Sequence, residues 1–507
     1  MENIRVVPIF VYTEVFLVLE NDIVRLTTCD SLHGRRKILT NKQKITADNV
    51  VSVLEDSLGF DSANVAEINY LYDVYRGIMD IRYKDKTVRP DNNNKVTINL
   101  PNKIVTFKSS FFLSSPIQYV AANGKEDISD KVAYLNVLMT SEGKESKDKE
   151  CSDWMHICGV EPRMVLPDPD NEKDGSPAAL YSLDPREAFV IYSSGIGRKP
   201  LAGVLKQYDE GDNLIYYVYV PEGRYTVKGN DIADWLAYDF GRVPIVEYPL
   251  NEARLGAFET VLSPINMINT LESARVDNVV DFVNAYDVFQ NCEIDENTYK
   301  ELARGGQCIC IRSGQGTEAK VYRISSEISQ TGVQTEIDAL YDYIDEITGM
   351  PTRAGDSAAA DTGMGTRFRN GWQDASARAN DTEKLFARSE REILKLILKI
   401  YKDKGILDLD PNDVKIQFTR ENLTDIQSKA QVLCELLNNE KVHPRDAYDI
   451  SGLFTDVENA YQRGMEWYEE AQSELENSLE KELENARTVH NDGQSDRNTA
   501  EEDNTAV

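Results

Sequence analysis

"GRVPIVEYPLNEARLGAFETVLSPINMINTLESARVDNVVDFVNAY", residues 241–286, changes its period midway, and that change decides the fold class. The opening "VPIVEYP" closes a region of period two, and Pro249 ends the strand. Beyond it, apolar residues recur at helical steps. Leu255, Phe258 and Leu262 form a leading piece; Ile265, Ile268, Leu271, Val279 and Val283 then share one side. Ser263 and Pro264 make a start signal, a hydroxyl N-cap followed by proline at the first helical position. Alternatively Pro264 marks a kink between two helical pieces. The helix is expected to reach about Tyr286. A strand region that feeds one long amphipathic helix predicts an α+β chain.

Upstream, "AFVIY", "LIYYVYV" and "RYTVKG" within residues 188–248 are β-branched and aromatic, with Gly, Asp and Asn between them. They predict an antiparallel sheet. A helix is expected over 64–76, carrying Ile68, Leu71, Tyr72 and Tyr75. Pro90, Pro101 and an asparagine run break the next stretch, and a second helix is expected over 103–114. "EGKESKDKE", 142–150, predicts a solvated, charged connection. The first sixty residues give no clear pattern. Their greasy stretch "VVPIFVYTEVFLVLENDIVRL" is interrupted by Glu14 and Glu20 and predicts strand rather than a signal peptide.

Downstream, "QCICIR" (307–312) and "EAKVYRI" (318–324) predict a hairpin around Gly314 and Gly316. A helix over 334–348 comes next, with Val333, Ile337, Leu340, Ile344 and Ile347 as its stripe. Glu336, Asp338, Asp342, Asp345 and Glu346 form its outer face. "GMPTRAGDSAAADTGMG" (349–365) is a bridge of small residues, too long and featureless for a simple connection. The next helix starts between 362 and 366 and reaches Lys404, with Gly371 weakening it by roughly 1 kcal/mol. One strand, "VKIQFTREN", three helical stretches and a polar tail, disordered from Arg487, complete the chain.

The chain has 507 residues, 41% of them hydrophobic, with 86 acidic against 56 basic side chains and a net charge of −30. Such an excess of carboxylates excludes tight nucleic-acid binding over the whole surface. No stretch approaches eighteen apolar residues, so no membrane span is expected. Seven scattered cysteines, an odd number, do not make a disulfide framework and fit a reducing cytosol.

Catalytic patterns are missing. No phosphate loop occurs, and "SGIGRKP" (194–200) predicts a turn between strands. Cys151, His156 and Cys158 lack zinc-ligand spacing, and Cys308 and Cys310 read as small strand hydrophobes. No G-x-S-x-G elbow occurs. Asp342 and Asp345 fit a solvated helix face. "PDNNNK" at Pro90 faintly suggests a metal-dependent nuclease strand, yet it lacks the following E-x-K and favours a turn. No catalytic, cofactor or metal residue is assigned, and an enzyme is disfavoured.

In their order, several segments resemble a tailed-bacteriophage portal protein of the branch typified by siphophages of Gram-positive bacteria. These are "YLYDVYRG", an asparagine-rich linker, and "NKIVTFKSSFFLSSPIQY" with Lys108, Phe112, Pro116, Ile117 and Tyr119. "LDPREAFVIYSS", the 241–286 stretch, the acidic helix ending at Thr348 and the small-residue bridge come after them. The bridge departs from the family by having Thr362, Gly363, Met364 and Gly365 where Ser-Gly and an alanine-containing helix start are common. The first sixty residues match nothing in the family.

The resemblance implies an α/β wing (1–253), a stem helix (254–286), a small β-containing clip (287–329) and a second stem helix (330–348). A tunnel loop (349–365), a long helix with a wing return strand (366–421), a helical crown (422–486) and a disordered tail (487–507) complete it. It implies a homo-oligomeric ring, commonly a dodecamer, at one vertex of the virion capsid, assembled in the host cytoplasm. Neighbouring copies would cover the two stem stripes. Twelve copies sum to roughly −360, a field that repels double-stranded DNA in transit rather than trapping it. Arg353, Ser357, Ala358, Ala359, Ala360, Thr362 and Arg367 would face DNA, with Arg353 and Arg367 as candidate phosphate contacts. Gln307, Arg312, Lys320 and Arg323 would lie on the clip, where a terminase and later a head-completion adaptor dock. Scaffolding and major capsid proteins are further implied partners. Another head-completion or baseplate protein is the alternative, and a metal-dependent nuclease a more distant one.

Overall fold

The computed structural model describes residues 14–19, 22–27, 35–87, 90–122, 126–168, 176–283, 286–290, 320–324, 330–351, 371–420, 426–439, 441–454 and 457–500. The chain forms two compact units, one of residues 1–116 with 135–411, the other of 117–134 with 412–507.

The first unit opens with an antiparallel pair, β1 (Glu14–Leu19) and β2 (Asp22–Thr27). β3 (Ile38–Thr40) precedes α1, which spans Val50–Tyr75 and so begins fourteen residues before the expected start at 64. Its two halves face different cores, which hides the first half from a single-stripe reading. Val50, Val53 and Leu54 pack on strand residues such as Ile191, Val204 and Val218. Ile68, Leu71 and Val74 join a helical core with Ile104, Phe258, Ile265, Ile268 and Ile344.

α2 spans Leu100–Phe112, and Pro101 sits in its first turn instead of breaking it. The Asn99 side chain caps the helix by accepting from the Asn102 N–H at 3.2 Å. β4 (Gln118–Ala121) belongs to the second unit, and α3 (Glu126–Ser141) carries the chain back.

The charged stretch 142–150 is not a solvated connection. It lies largely within α4 (Lys144–Cys158), with Glu142, Lys144 and Asp148 buried. Composition misleads there because the charges are paired internally. Lys144 binds Asp148 at 2.5 Å and Glu390 at 3.1 Å, and Arg163 binds Asp148 at 2.6 Å.

β5 (Val160–Pro167), β6 (Ala178–Ser182), β7 (Ala188–Ser193), β8 (Pro200–Tyr208), β9 (Leu214–Val220), β10 (Gly223–Lys228), β11 (Asp231–Ala237) and β12 (Ile245–Pro249) make two sheets. One has the order β11-β10-β9-β8-β7-β3, antiparallel as expected except that β3 lies parallel to β7. The other has the order β12-β5-β6. Met164, Val190, Leu205, Tyr219 and Ile245 fill the space between them.

α5 runs over Leu262–Val283 after a short 3-10 turn, with Ser263 and Pro264 inside its first turn. β13 (Tyr286–Gln290) pairs antiparallel with β14 (Lys320–Ile324), so Tyr286 is strand rather than helix end. The hairpin partner expected for 318–324 was 307–312. That segment lies outside the described residues, and the partner seen is β13. α6 (Gln330–Thr348) starts four residues earlier than expected.

α7 covers Trp372–Asp403. Gly371 is its N-cap, with φ of +74°, rather than an interior residue; its lack of a Cβ serves the left-handed backbone there.

In the second unit β15 (Val414–Gln417) pairs antiparallel with β4, followed by α8 (Ile426–Leu437), α9 (Pro444–Ser451) and α10 (Val457–Ala500). α10 continues past Arg487, where polar composition suggests the end of order. Among the described residues no helix is long and apolar enough to cross a membrane.

Candidate functional site

The pair α5 and α6, with the segment after them, is the candidate site. α5 uses its polar side chains on one face as a ladder. Asn269, Ser273 and Asp277, each four residues apart, accept the backbone N–H groups of Ile98 (2.8 Å), Val96 (3.0 Å) and Asn94 (2.8 Å). Four helical residues rise about 6.0 Å and two extended residues about 6.6 Å, so an antiparallel strap stays in step with the helix over three rungs. Lys86 at 2.6 Å and the Asn94 amide at 2.9 Å also bind Asp277, which is 3% exposed. Burial pushes the Asp277 pKa up, but these donors outweigh it and hold the carboxyl down at about 2. In "PDNNNK" the side chains of Asn92 and Asn94 therefore donate to Asp277 of α5, while that of Asn93 donates to Lys84 O at 3.1 Å, so all three asparagines serve as structural donors. The i, i+4, i+8 polar repeat was legible in the sequence and was overlooked.

The apolar stripe of α5 lies beside this ladder, on the same buried side of the helix. Ile265 and Ile268 are buried with Ile344 of α6 and Met350 inside the chain's own core. The expectation that neighbouring copies bury the whole of both stripes is thus corrected: this part is used within the chain. Met267, Val276 and Val279 on α5, and Tyr343 and Ile347 on α6, are exposed. So are Glu336, Asp338, Asp342 and Glu346.

α6 ends in a tightly built cap. The Met350 N–H reaches Asp345 O at 2.9 Å and the Gly349 N–H reaches Glu346 O at 3.3 Å, the paired bonds of a Schellman ending. Gly349 has φ of +68°. Arg378 of α7 donates to Ile347 O at 2.8 Å and to Glu346 O at 3.3 Å, and Asp374 orients it at 3.0 Å. A Cβ on Gly349 would lie 2.4 Å from Arg378 Nε. A Cβ on Gly371 would lie 3.5 Å from Met350 O, so the two ends of segment 352–370 are fixed side by side. Trp372 packs against Phe107 and Phe111 of α2, with centroids 5.8 and 5.9 Å away.

Behind this base lies a cavity of about 330 Å³ with Lys108, His156, Thr348 and Arg378 on its wall. Burial, with Arg378 nearby, lowers the Lys108 pKa to about 8; burial also drops His156 to about 4, so its ring is neutral at pH 7.

The expected loop residues Arg353, Ser357, Ala358, Ala359, Ala360, Thr362 and Arg367 lie outside the described residues, as do Gln307 and Arg312. Lys320 is exposed at the start of β14, and Arg323 stands opposite Asp287 in the β13–β14 register. Cys151, His156 and Cys158 are all buried in α4, in keeping with packing residues. Sequence reasoning missed Arg378, whose role depends on two carbonyls more than thirty positions away.

Residues 60–482 match the family model described as phage portal protein, SPP1 Gp6-like. The chain belongs to that family, and it is a structural portal protein of a virion. No curated protein matches it. A solved structure titled "Virion of native gene transfer agent (GTA) particle" aligns over 70% of this chain and 89% of its own. The identity is 11% and the TM-score 0.41.

Proposed function

We propose that copies of this chain close into a ring, commonly of twelve, at one capsid vertex, and that the ring is the channel for packaging, retaining and ejecting double-stranded DNA. The family match across both stem helices carries this reading. Segment 352–370, rooted at one point between α6 and α7, would narrow the channel. Ala358, Ala359 and Ala360 offer DNA little bulk and little adhesion, while Arg353 and Arg367 make brief phosphate contacts. The exposed apolar remainder of the stem, Met267, Val276, Val279 and Tyr343, faces the neighbouring copy. The clip, with Gln307, Arg312, Lys320 and Arg323, receives the terminase during packaging and a head-completion adaptor afterwards. The crown faces the capsid interior, and scaffolding protein guides assembly into the major capsid shell.

The test is Arg353→Glu in a packaging system. Rings should form as for the wild type, and packaged DNA should fall several-fold. Normal packaging by this variant would remove Arg353 from the channel.

A further inference from the structure

Within the first unit a cleft of about 720 Å³ runs counter to the chain's overall charge. Six cationic side chains line it, Lys37, Arg198, Lys199, Arg242, Arg254 and Arg388, against two carboxylates, Glu247 and Glu392. Three of the cations are already paired: Arg254 with Glu247 at 2.8 Å, Arg242 with Glu392 at 2.6 Å and Arg388 with Glu252 at 2.9 Å. Lys37, Arg198 and Lys199 make no ion pair among the described residues. Burial and the neighbouring Arg254 both disfavour charge on Lys37, whose ammonium sits 5.3 Å from the Tyr192 ring centroid. Arg254 is 5% exposed and its Nε has no hydrogen-bond partner. Cations therefore outnumber carboxylates here even after these pairs, on a chain of net charge −30.

Arg198 and Lys199 belong to the turn that enters β8. The turn that leaves β8 has the opposite character. Asp209, Glu210 and Asp212 lie in it, and Asp231 stands beside it at the start of β11. Lys228 binds Asp209 at 3.3 Å, while Glu210, Asp212 and Asp231 are exposed and make no ion pair among the described residues. Nine strand residues at about 3.3 Å each separate the two turns by roughly 30 Å. A cationic cleft and an acidic turn at opposite ends of one strand have the separation and the opposite sign that a head-to-tail contact requires. Such contacts close into rings when the rotation allows.

We propose that the cleft at Lys37, Arg198 and Lys199 receives the acidic β8–β9 turn, Glu210 and Asp212, of a second copy of this chain. A head-to-tail contact of this kind presupposes the ring proposed above. It also answers a physical difficulty, because copies of like charge repel and need local attraction to meet in one register.

Mass photometry of the full-length chain at one fixed ionic strength tests it. Lys37→Glu with Lys199→Glu, and separately Glu210→Lys with Asp212→Lys, should each weaken assembly at least about tenfold. All four substitutions in one chain should restore it. Glu210 and Asp212 are exposed turn residues, so that pair tests the contact even if the cleft variant misfolds. A wild-type ring indifferent to either pair, or no recovery in the fourfold variant, overturns the contact. Cleft variants that assemble normally but lose binding to a DNA oligonucleotide overturn it in favour of nucleic acid. A wild-type chain that never forms rings overturns the ring reading itself.

Discussion

Asp277 accepts hydrogen bonds from Lys86, from the Asn94 backbone and from the Asn94 amide, so its removal strands several donors at once. Asp277→Ala should cost about 2 kcal/mol in denaturant titration, and Asp277→Asn less, because an amide oxygen still accepts. Equal losses would point to sterics rather than hydrogen bonding. A different residue contributes a pH dependence on the alkaline side. Glu161 is fully buried on β5, and burial raises its pKa to about 7, with Arg163 and the Ser182 hydroxyl at 2.6 Å opposing the rise. A folded pKa above the unfolded one gives stability that is full below about 4.5 and is lost as pH rises through 7. Glu161→Gln should therefore match the wild type near pH 4.5 and exceed it at pH 8. A constant difference across that range would contradict the assignment. The burial of these two carboxylates was not legible, because it depends on partners distant along the chain, Lys86 for Asp277 and Ser182 for Glu161.

At the scale of elements, the junction of α6 and α7 is held by Gly349 and Arg378. Gly349→Ala should cost about 1–3 kcal/mol, since alanine disfavours φ of +68° and its Cβ would displace Arg378. Arg378→Ala should leave the glycine geometry intact and raise amide exchange at Gly349, Met350 and Ala375. Unchanged exchange there would mean that the arginine is not what ties the ends together. The helices themselves were legible wherever one stripe faced one core, as in α6 and the later part of α7. Legibility failed where an element served two environments. α1 divides its faces between a sheet and a helical core, and α4 hides salt bridges that composition reads as a solvated run. The anchors of segment 352–370 were not legible, because an N-cap glycine and a helix-interior glycine look alike in sequence.

At the scale of the molecule, family membership and two stem helices sharing a core define a portal subunit, and the proposed ring assigns an outlet to the apolar side chains that this core leaves exposed. Order along the chain conveyed that architecture better than any single motif, since strand, stem helix, β pair, stem helix and long helix succeed one another as the family resemblance implied. The cationic cleft was not legible, because Lys37 and Arg388 reach it from distant parts of the sequence. Electron microscopy of the purified full-length protein tests the central claim most directly. The account predicts closed rings, about twelve copies around a central hole, with the stem's exposed apolar side chains covered by neighbours. A compact monomer under every assembly condition would contradict it.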